Sequence, residues 1–167
     1  MGFQALSFAG DGRTLAVLQD RTVSLLDGGS GRVLRELTPG FSPLAALLDR
    51  DGRRCVVGCA PSRIEVLDTG DGGSVLWLKG HDNWVVSLAL SPDGGALVSL
   101  GTVDRTIKVW ITGTLEAGPL KTFSLGGQGG NVVFSPDGGL VAAGLGVKST
   151  PSFRCTQGEA WLWRVSD

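Results

Sequence analysis

The chain has 167 residues, of which 42% are hydrophobic and 27 are glycines, a composition typical of a packed, turn-rich protein rather than a disordered one. Its 15 basic and 16 acidic residues give a formal charge of −1, which excludes attraction to nucleic acid or to an anionic membrane through overall charge. No apolar run approaches the roughly 18 residues of a membrane-spanning helix. The first residues lack the pattern of a secretion signal, so a cytoplasmic location is expected, with neither nucleic acid nor membrane as a partner.

Short apolar segments follow one another along the chain in pairs, and each pair is joined by a turn that contains an Asp-Gly dipeptide. The dipeptides begin at Asp11, Asp51, Asp93 and Asp137, in successive steps of 40, 42 and 44 residues. A period of roughly 40 to 45 residues is typical of a repeated four-stranded sheet. In the last two turns the sequence is Ser-Pro-Asp-Gly-Gly, where proline fixes φ near −65° and glycine tolerates positive φ, so tight turns are predicted.

Each unit is therefore predicted to hold strands a and b on either side of the Asp-Gly turn, followed by strands c and d. Strand c is predicted at 22–26, 64–67, 106–110 and 160–163. Strand d is predicted at 32–37, 74–78 and 120–123, and the sequence stops after strand c of the fourth unit. We expect about fifteen strands in one domain over 1–167, with units at 1–40, 41–83, 84–128 and 129–167.

The third unit resembles a known repeat over most of its length. Its segments 80–94, GHDNWVVSLALSPDG, and 104–110, DRTIKVW, are similar to a WD repeat. The other units keep the spacing but are degenerate, with Leu26-Asp27, Leu67-Asp68 and Trp163-Arg164 where Trp-Asp is usual. This resemblance implies an all-β fold with almost no helix: a WD-repeat β-propeller or half-propeller of four antiparallel blades, the last lacking its outer strand.

The resemblance also implies a structural tetrad made of His81, Ser99, Asp104 and Trp110. The connection from strand d to the next strand a lies at the same end of a blade as the turn from b to c, so His81 and Asp104 can meet there. Hydrogen bonds that run from indole through hydroxyl and imidazole to carboxylate satisfy all four groups, which favours this interpretation over a catalytic triad. The segment before Asp104 is one residue longer than usual, so Thr102 is an alternative to Ser99.

No catalytic, cofactor or metal site is predicted in the rest of the chain. His81 is the single histidine, so a structural role leaves no imidazole for general base catalysis or metal binding. Two pairs of neighbouring aspartates lie in turns, where aspartate is common for backbone reasons. They are Asp49 with Asp51, and Asp68 with Asp71. The glycine-rich segment 126–130 lacks the lysine of a phosphate loop. Cys55 and Cys59 share one face of a strand, where core packing is favoured and a bridge or a ligand role is the alternative.

The family resemblance implies a non-enzymatic protein-protein interaction scaffold. The partner surface, for a protein or peptide, is expected at the end that bears the d-to-a connections and the b-to-c turns. The candidates are Arg21, Phe41, Arg63, Asp82, Trp84, Arg105, Lys148, Phe153 and Arg154. The last three belong to a b-to-c connection at 146–158, predicted to be an enlarged recognition loop, with a tolerated insertion as the alternative.

Two other functions stay open at this point: a ligand-binding or catalytic propeller that uses a central channel, and a truncated fragment without activity of its own. Four units are fewer than the seven or so usual in the family. The chain is thus part of a longer ring, or two copies complete one as a homodimer, or the four blades close by themselves.

Overall fold

The computed structural model describes residues 3–149 and 155–165. These residues form fifteen strands and one short 3₁₀ helix, Thr112–Ala117, with the strands in four antiparallel sheets. Sheet 1 holds β1 (Phe3–Phe8), β2 (Thr14–Gln19), β3 (Thr22–Asp27) and β4 (Val33–Leu37). Sheet 2 holds β5 (Ser42–Leu48), β6 (Arg54–Ala60), β7 (Arg63–Asp68) and β8 (Ser74–Lys79). Sheet 3 holds β9 (Val85–Leu90), β10 (Ala96–Gly101), β11 (Thr106–Ile111) and β12 (Lys121–Ser124). Sheet 4 holds β13 (Gln128–Phe134), β14 (Leu140–Ser149) and β15 (Cys155–Arg164).

Every sheet keeps its strands in sequence order, and the first strands of successive sheets contact each other, β1 with β5, β5 with β9 and β9 with β13. The sheets are thus four propeller blades around a common inner edge, which confirms the predicted all-β fold class. The fourth blade has three strands in the described chain, as predicted. Within that part, no helix is long and apolar enough to cross a lipid bilayer.

The turns between the first two strands of each sheet fix the hairpins locally. In the third turn the Asp93 carboxylate accepts hydrogen bonds from the Ser91 hydroxyl at 2.6 Å and from the backbone N–H of Gly95 at 2.9 Å. In the same turn Gly94 adopts a φ of 76°, which residues other than glycine rarely adopt. The same residue types therefore specify the same hairpin in sheet 4. We call this end of the blades the Asp-Gly end and the other the connection end.

Three buried apolar clusters join neighbouring sheets, one at each junction. Leu18 and Val57 are fully buried between sheets 1 and 2, and Ile64 and Trp110 lie between sheets 2 and 3. The third cluster joins sheets 3 and 4. Cys55 and Cys59 belong to the first cluster, where both thiols are free and burial raises the pKa of each to about 12. They are neutral core side chains in this structure.

The outer faces of the first and last sheets differ from the internal ones. Among the described residues, no buried cluster joins sheet 4 to sheet 1. Leu6 and Phe8, on the face of sheet 1 that turns away from sheet 2, are 64% and 58% exposed. On the face of sheet 4 that turns away from sheet 3, Val133 is 54% exposed and Leu162 is 63% exposed. The four blades form an open arc with two apolar outer faces.

One predicted loop is wrong in its extent. The connection expected over 146–158 consists largely of strand, since β14 runs to Ser149 and β15 begins at Cys155. Register explains the difference: Gly146 pairs with Gly158 and Lys148 with Gln157, so the hairpin of sheet 4 continues beyond the length of its neighbours. The two halves of the inserted segment pair with each other and so satisfy their backbone hydrogen bonds as strands. The turn-forming residues in this segment did not indicate such pairing.

Candidate functional site

A continuous chain of hydrogen bonds runs through sheet 3 from Trp110, which pairs with Leu97 near the Asp-Gly end, to Asp104 at the connection end. The Trp110 indole Nε1 donates to Ser99 Oγ at 2.8 Å, and Ser99 Oγ lies 2.7 Å from His81 Nε2. The other imidazole nitrogen, Nδ1, lies 2.7 Å from Asp104 Oδ2. Ser99 and Trp110 are fully buried, and His81 is nearly so. The structure brings together all four residues of the predicted tetrad, from β10, β11, a turn and the connection before β9.

Donor and acceptor chemistry fixes the direction of this chain. An ionised carboxylate can only accept, so His81 carries a proton on Nδ1 and donates it to Asp104. In the neutral imidazole Nε2 is then an acceptor, so the Ser99 hydroxyl donates to Nε2 while its oxygen accepts from the Trp110 indole. Burial lowers the pKa of His81, against the opposing effect of the Asp104 carboxylate. A second proton on Nε2 would also leave the Ser99 hydroxyl proton without an acceptor, so the neutral imidazole fits the site.

The Asp104 carboxylate ties two backbone segments together. It accepts from the backbone N–H of Asp82 at 3.1 Å and from that of Thr106 at 3.2 Å, in addition to His81. Burial raises the pKa of Asp104, but its hydrogen bond and charge interaction with His81, with further help from Asp82 and Thr106, bring that pKa below its usual 3.8. The ionised carboxylate thus clamps the connection before β9 to the turn between β10 and β11.

Ser99, rather than the alternative Thr102, occupies the hydroxyl position of the chain. β10 pairs with β11 without interruption, from Ala96 with Ile111 to Gly101 with Thr106, so Ser99 is not displaced and the extra residue lies in the turn after Gly101. Thr102 instead donates its backbone N–H to the Trp84 carbonyl at 3.3 Å.

Protonation of His81 should make stability fall in mild acid. The pKa of His81 is lower in the folded state than its ordinary value of 6.5. The contribution of the neutral imidazole to stability is therefore complete above pH 6.5 and is lost as the pH falls through the folded-state pKa. We expect the free energy of unfolding, measured with urea, to decrease from pH 7.5 to pH 5. A His81→Gln variant should be less stable at pH 7.5 but should decline less, since His81 is the single histidine. Parallel curves for the two proteins would contradict this assignment.

Most of the other candidate residues lie at the connection end and differ in exposure. Arg21, Asp82 and Arg105 are exposed, and Phe41 and Arg63 are half-buried. Trp84, just before β9, has 52% of its surface exposed. The structure therefore places these six on one end of the arc, each at a turn or a connection between sheets.

Three further candidates belong to the last hairpin. Lys148 lies in β14, opposite Gln157 of β15. Phe153 and Arg154 lie outside the described residues.

Two features of the connection end were missed by sequence reasoning. Trp77 of β8 meets Phe41 edge-on with 5.3 Å between ring centroids, and the Arg63 guanidinium carbon lies 4.9 Å from the Phe41 centroid and 5.7 Å from that of Trp77. Below them Glu65, 2% exposed, accepts the backbone N–H of Gly40 at 2.9 Å. Both features could have been inferred from the alternation of side-chain direction along β7, which puts Arg63 and Glu65 on one face.

A cleft between sheets 2 and 3 at the Asp-Gly end was also missed. It encloses about 450 Å³ over an apolar floor that includes Val66 and Leu115, the latter from the 3₁₀ helix. Its charged rim carries both signs: Asp49, Arg50, Asp51, Arg53, Arg54 and Asp93. In the described chain, no group of three or more histidine, cysteine or acidic side chains is placed to hold a metal ion.

Comparison with known proteins agrees with this geometry. The family model described as "WD domain, G-beta repeat" matches residues 72–110, which include the whole hydrogen-bonded chain from His81 to Trp110. The sequence is 33% identical over 151 residues to the uncharacterized WD repeat-containing protein sll1491 of Synechocystis sp., covering 86% of this chain and 42% of that protein. The chain belongs to the WD-repeat family.

Other relatives of this WD-repeat chain are longer proteins. It is 33% identical over 123 residues to the ribosome biogenesis protein YTM1 of Podospora anserina, covering 70% of this chain and 25% of the relative. Among solved structures, hydrazine synthase of Kuenenia stuttgartiensis superposes with a TM-score of 0.77 over 96% of this chain and 49% of that one. Their identity of 21% shows a shared fold and nothing about chemistry. The chain spans less than half the length of each of these three proteins.

Proposed function

We propose that this single four-unit domain is a non-enzymatic scaffold that binds a protein or peptide partner at its connection end. The observation that carries the proposal is the exposed indole of Trp84 on a backbone that the buried hydrogen-bonded chain holds in place. Tryptophan and arginine are enriched among the residues that dominate binding energy at protein interfaces. Trp84 is accompanied there by Arg21, Phe41, Arg63, Asp82 and Arg105, and we include Lys148, Phe153 and Arg154 in the proposed surface.

The backbone around Trp84 is fixed on both sides. Its N–H donates to the Asn83 side chain at 2.8 Å, and its carbonyl accepts from Thr102 at 3.3 Å. Two residues earlier, the Asp82 N–H donates to the Asp104 carboxylate. A side chain presented on an ordered backbone loses little conformational freedom when it binds, so more of its contact energy appears as affinity.

The names of the relatives support interaction rather than catalysis. The YTM1 relatives are named as ribosome biogenesis proteins and the cyanobacterial relative as a WD repeat-containing protein. By analogy we propose that this chain also works by assembly with other proteins, through a partner whose identity is open. A cytoplasmic location stays a prediction.

Replacing Trp84 by alanine should abolish most partner binding. Truncation of a dominant interface side chain costs about 2 kcal/mol or more, which is roughly a 30-fold loss of affinity. The measurement is titration of wild-type and Trp84→Ala protein with a partner captured by the wild type from source-cell lysate. The matched control is Trp161→Ala, which removes another exposed indole, 38% accessible, from β15 of sheet 4. Equal binding by both variants would refute the proposed surface.

A second candidate role is a composite ring made by two copies, and the open outer faces favour it. At each junction one sheet packs against a face of the next sheet. The uncovered face of sheet 4 in one copy could therefore pack in the same way against the uncovered face of sheet 1 in another. Two copies related by a two-fold axis would make this contact twice. The alternative is that further blades of a longer protein cover these outer faces, because the chain spans 42% of its cyanobacterial relative.

Sedimentation equilibrium distinguishes these arrangements. A composite ring predicts twice the chain mass of 17.3 kDa at micromolar concentration, and a single-chain mass for a Leu162→Asp variant, which places a charge on the outer face of sheet 4. The matched control is Val75→Asp, on the similarly exposed strand β8. A wild-type protein of single-chain mass would exclude the homodimer.

A further inference from the structure

The chain contains six Asp-Gly dipeptides, and such a dipeptide can isomerise without an enzyme. They begin at Asp11, Asp27, Asp51, Asp71, Asp93 and Asp137. The glycine amide nitrogen attacks the carbonyl carbon of the aspartate side chain, and a five-membered succinimide ring closes. Glycine permits the attack because it has no β-carbon to obstruct it. Since the two reacting residues are the same in all six dipeptides, the folded structure decides which of them reacts.

Five of the six carboxylates are held by hydrogen bonds. Each accepts a backbone N–H from a residue two or three positions further along the chain, at 2.7 to 2.9 Å. A serine hydroxyl also donates to three of them and, together with these N–H groups, holds the pKa of each below its usual 3.8. Those three are Asp27, Asp93 and Asp137. Ring closure expels the hydroxyl of the neutral carboxyl as water, so bonds that favour the ionised form oppose it.

Asp51 is the exception among the six. Within the described part of the chain, its exposed carboxylate accepts no hydrogen bond. In the third turn the residue two positions before the dipeptide is Ser91, whose hydroxyl donates to the carboxylate. In the second turn that position is Asp49, which accepts the Arg54 N–H at 3.1 Å and, when ionised, has no proton to donate. An acceptor thus replaces the donor, and the Asp51 carboxylate is left without a hydrogen bond to fix its orientation.

The glycine nitrogen is also held least firmly at this dipeptide. The Gly52 N–H donates to the Asp49 carbonyl at 3.2 Å, whereas the corresponding glycine N–H groups of the other five dipeptides donate to carbonyls at 2.6 to 2.9 Å. A longer hydrogen bond is weaker, so this nitrogen leaves the turn more readily. The Gly52 carbonyl is fixed by the Thr69 hydroxyl at 2.7 Å, but the attack uses the other side of the residue. Both reacting groups are therefore least restrained at Asp51 and Gly52.

We propose that Asp51 is the position at which this chain forms isoaspartate, through a succinimide with the nitrogen of Gly52. The nitrogen loses its proton and bonds to Cγ, while the carboxyl hydroxyl leaves as water. A second water opens the ring at the main-chain carbonyl of Asp51, so the backbone then passes through the side-chain carboxyl group. Water is released once and consumed once, and nothing is oxidised or reduced.

The product has two properties that the native turn lacks. One extra backbone atom lies between β5 and β6, which disrupts the bond from Gly52 to Asp49. The former main-chain carbonyl of Asp51 is a free carboxylate, the group that isoaspartyl methyltransferases methylate with S-adenosylmethionine. The modified chain is therefore a substrate for that methylation. The turn lies at the Asp-Gly end, so this inference is independent of the proposed partner surface.

The test is to age the wild-type chain at pH 7.5 and to measure isoaspartate at each dipeptide by electron-transfer mass spectrometry. We expect Asp51 to exceed each of the other five by about tenfold, the effect of one hydrogen bond to a charged group. An Asp49→Ser variant restores the missing donor and should slow the reaction at Asp51 to the same extent. Asp51→Glu, which cannot close a five-membered ring, should remove most methyl acceptance by the aged protein. The matched control, Asp93→Glu, should retain it.

The same chain unfolded in urea shows whether structure or local sequence sets the selectivity. We expect similar rates at all six dipeptides there, and circular dichroism verifies that each variant is folded in buffer. An even distribution in the folded chain, or a maximum at another dipeptide, would overturn the proposal. An Asp49→Ser protein that isomerises as fast as the wild type, or the same excess at Asp51 in urea, would overturn the structural cause. A folded chain that forms no isoaspartate while the unfolded chain does would also overturn the proposal.

Discussion

Replacing Trp110 by alanine is expected to lower the free energy of unfolding by about 3–5 kcal/mol. The indole is fully buried between sheets 2 and 3 and also supplies the first hydrogen bond of the chain that ends at Asp104. A Trp110→Phe variant keeps most of the ring but leaves Ser99 Oγ without its donor, so it should lose about 1–2 kcal/mol. Urea unfolding at pH 7.5 measures both values.

The matched control for this prediction is Trp161→Ala, which removes a partly exposed indole and should cost less than half as much. A Trp110→Ala protein as stable as the Trp161→Ala protein would contradict a central packing role for Trp110. Equal losses in Trp110→Phe and Trp110→Ala would show that the hydrogen bond, rather than the volume, carries the effect.

Replacing Gly101 by alanine is the second change expected to have a large effect. A β-carbon at this position would collide with the Asp104 carboxylate and lie 2.7 Å from His81 Nδ1, so the pair must separate. We expect the free energy of unfolding to fall by about 2–3 kcal/mol, in the range of overpacked cores. The acid-dependent loss of stability assigned to His81 should also diminish, because a displaced imidazole is less desolvated.

The control is Gly113→Ala in the 3₁₀ helix, where an added β-carbon meets no atom within 4 Å. Its stability should stay within about 0.5 kcal/mol of the wild type, as is usual for surface substitutions. A Gly101→Ala protein as stable as this control would show that the His81–Asp104 pair tolerates displacement.

Local chemistry explains why much of the fold was predictable from sequence. The Ser-Pro-Asp-Gly-Gly turns specify their hairpins through bonds between residues at most five positions apart, such as Ser91 Oγ to Asp93 and Ala96 N–H to Ser91 Oγ. Their regular spacing then orders the sheets. The tetrad was also predictable, because the family resemblance named its four positions and blade topology brings His81 and Asp104 to one end of the blade.

Features that depend on register between strands were not predictable in the same way. The contact of Arg63 with Phe41 and Trp77 joins β7 to β8 and to the connection before β5, and pairing register decides which of their side chains meet. The extended hairpin of sheet 4 was missed because glycines at 144, 146 and 158 read as turn residues. The 3₁₀ helix is stabilised by Leu115, which fills the cluster between sheets 2 and 3, a tertiary contact without a local signal.

Site-specific photo-crosslinking can locate the surface that binds the partner, which we propose is the connection end. A benzophenone amino acid is placed at Val103, 55% exposed in the turn before β11, or at Leu120, 56% exposed before β12 at the other end of the same sheet. After irradiation with the partner captured by the wild-type chain, we expect a covalent adduct from position 103 and none from position 120. An adduct from position 120 alone would contradict it.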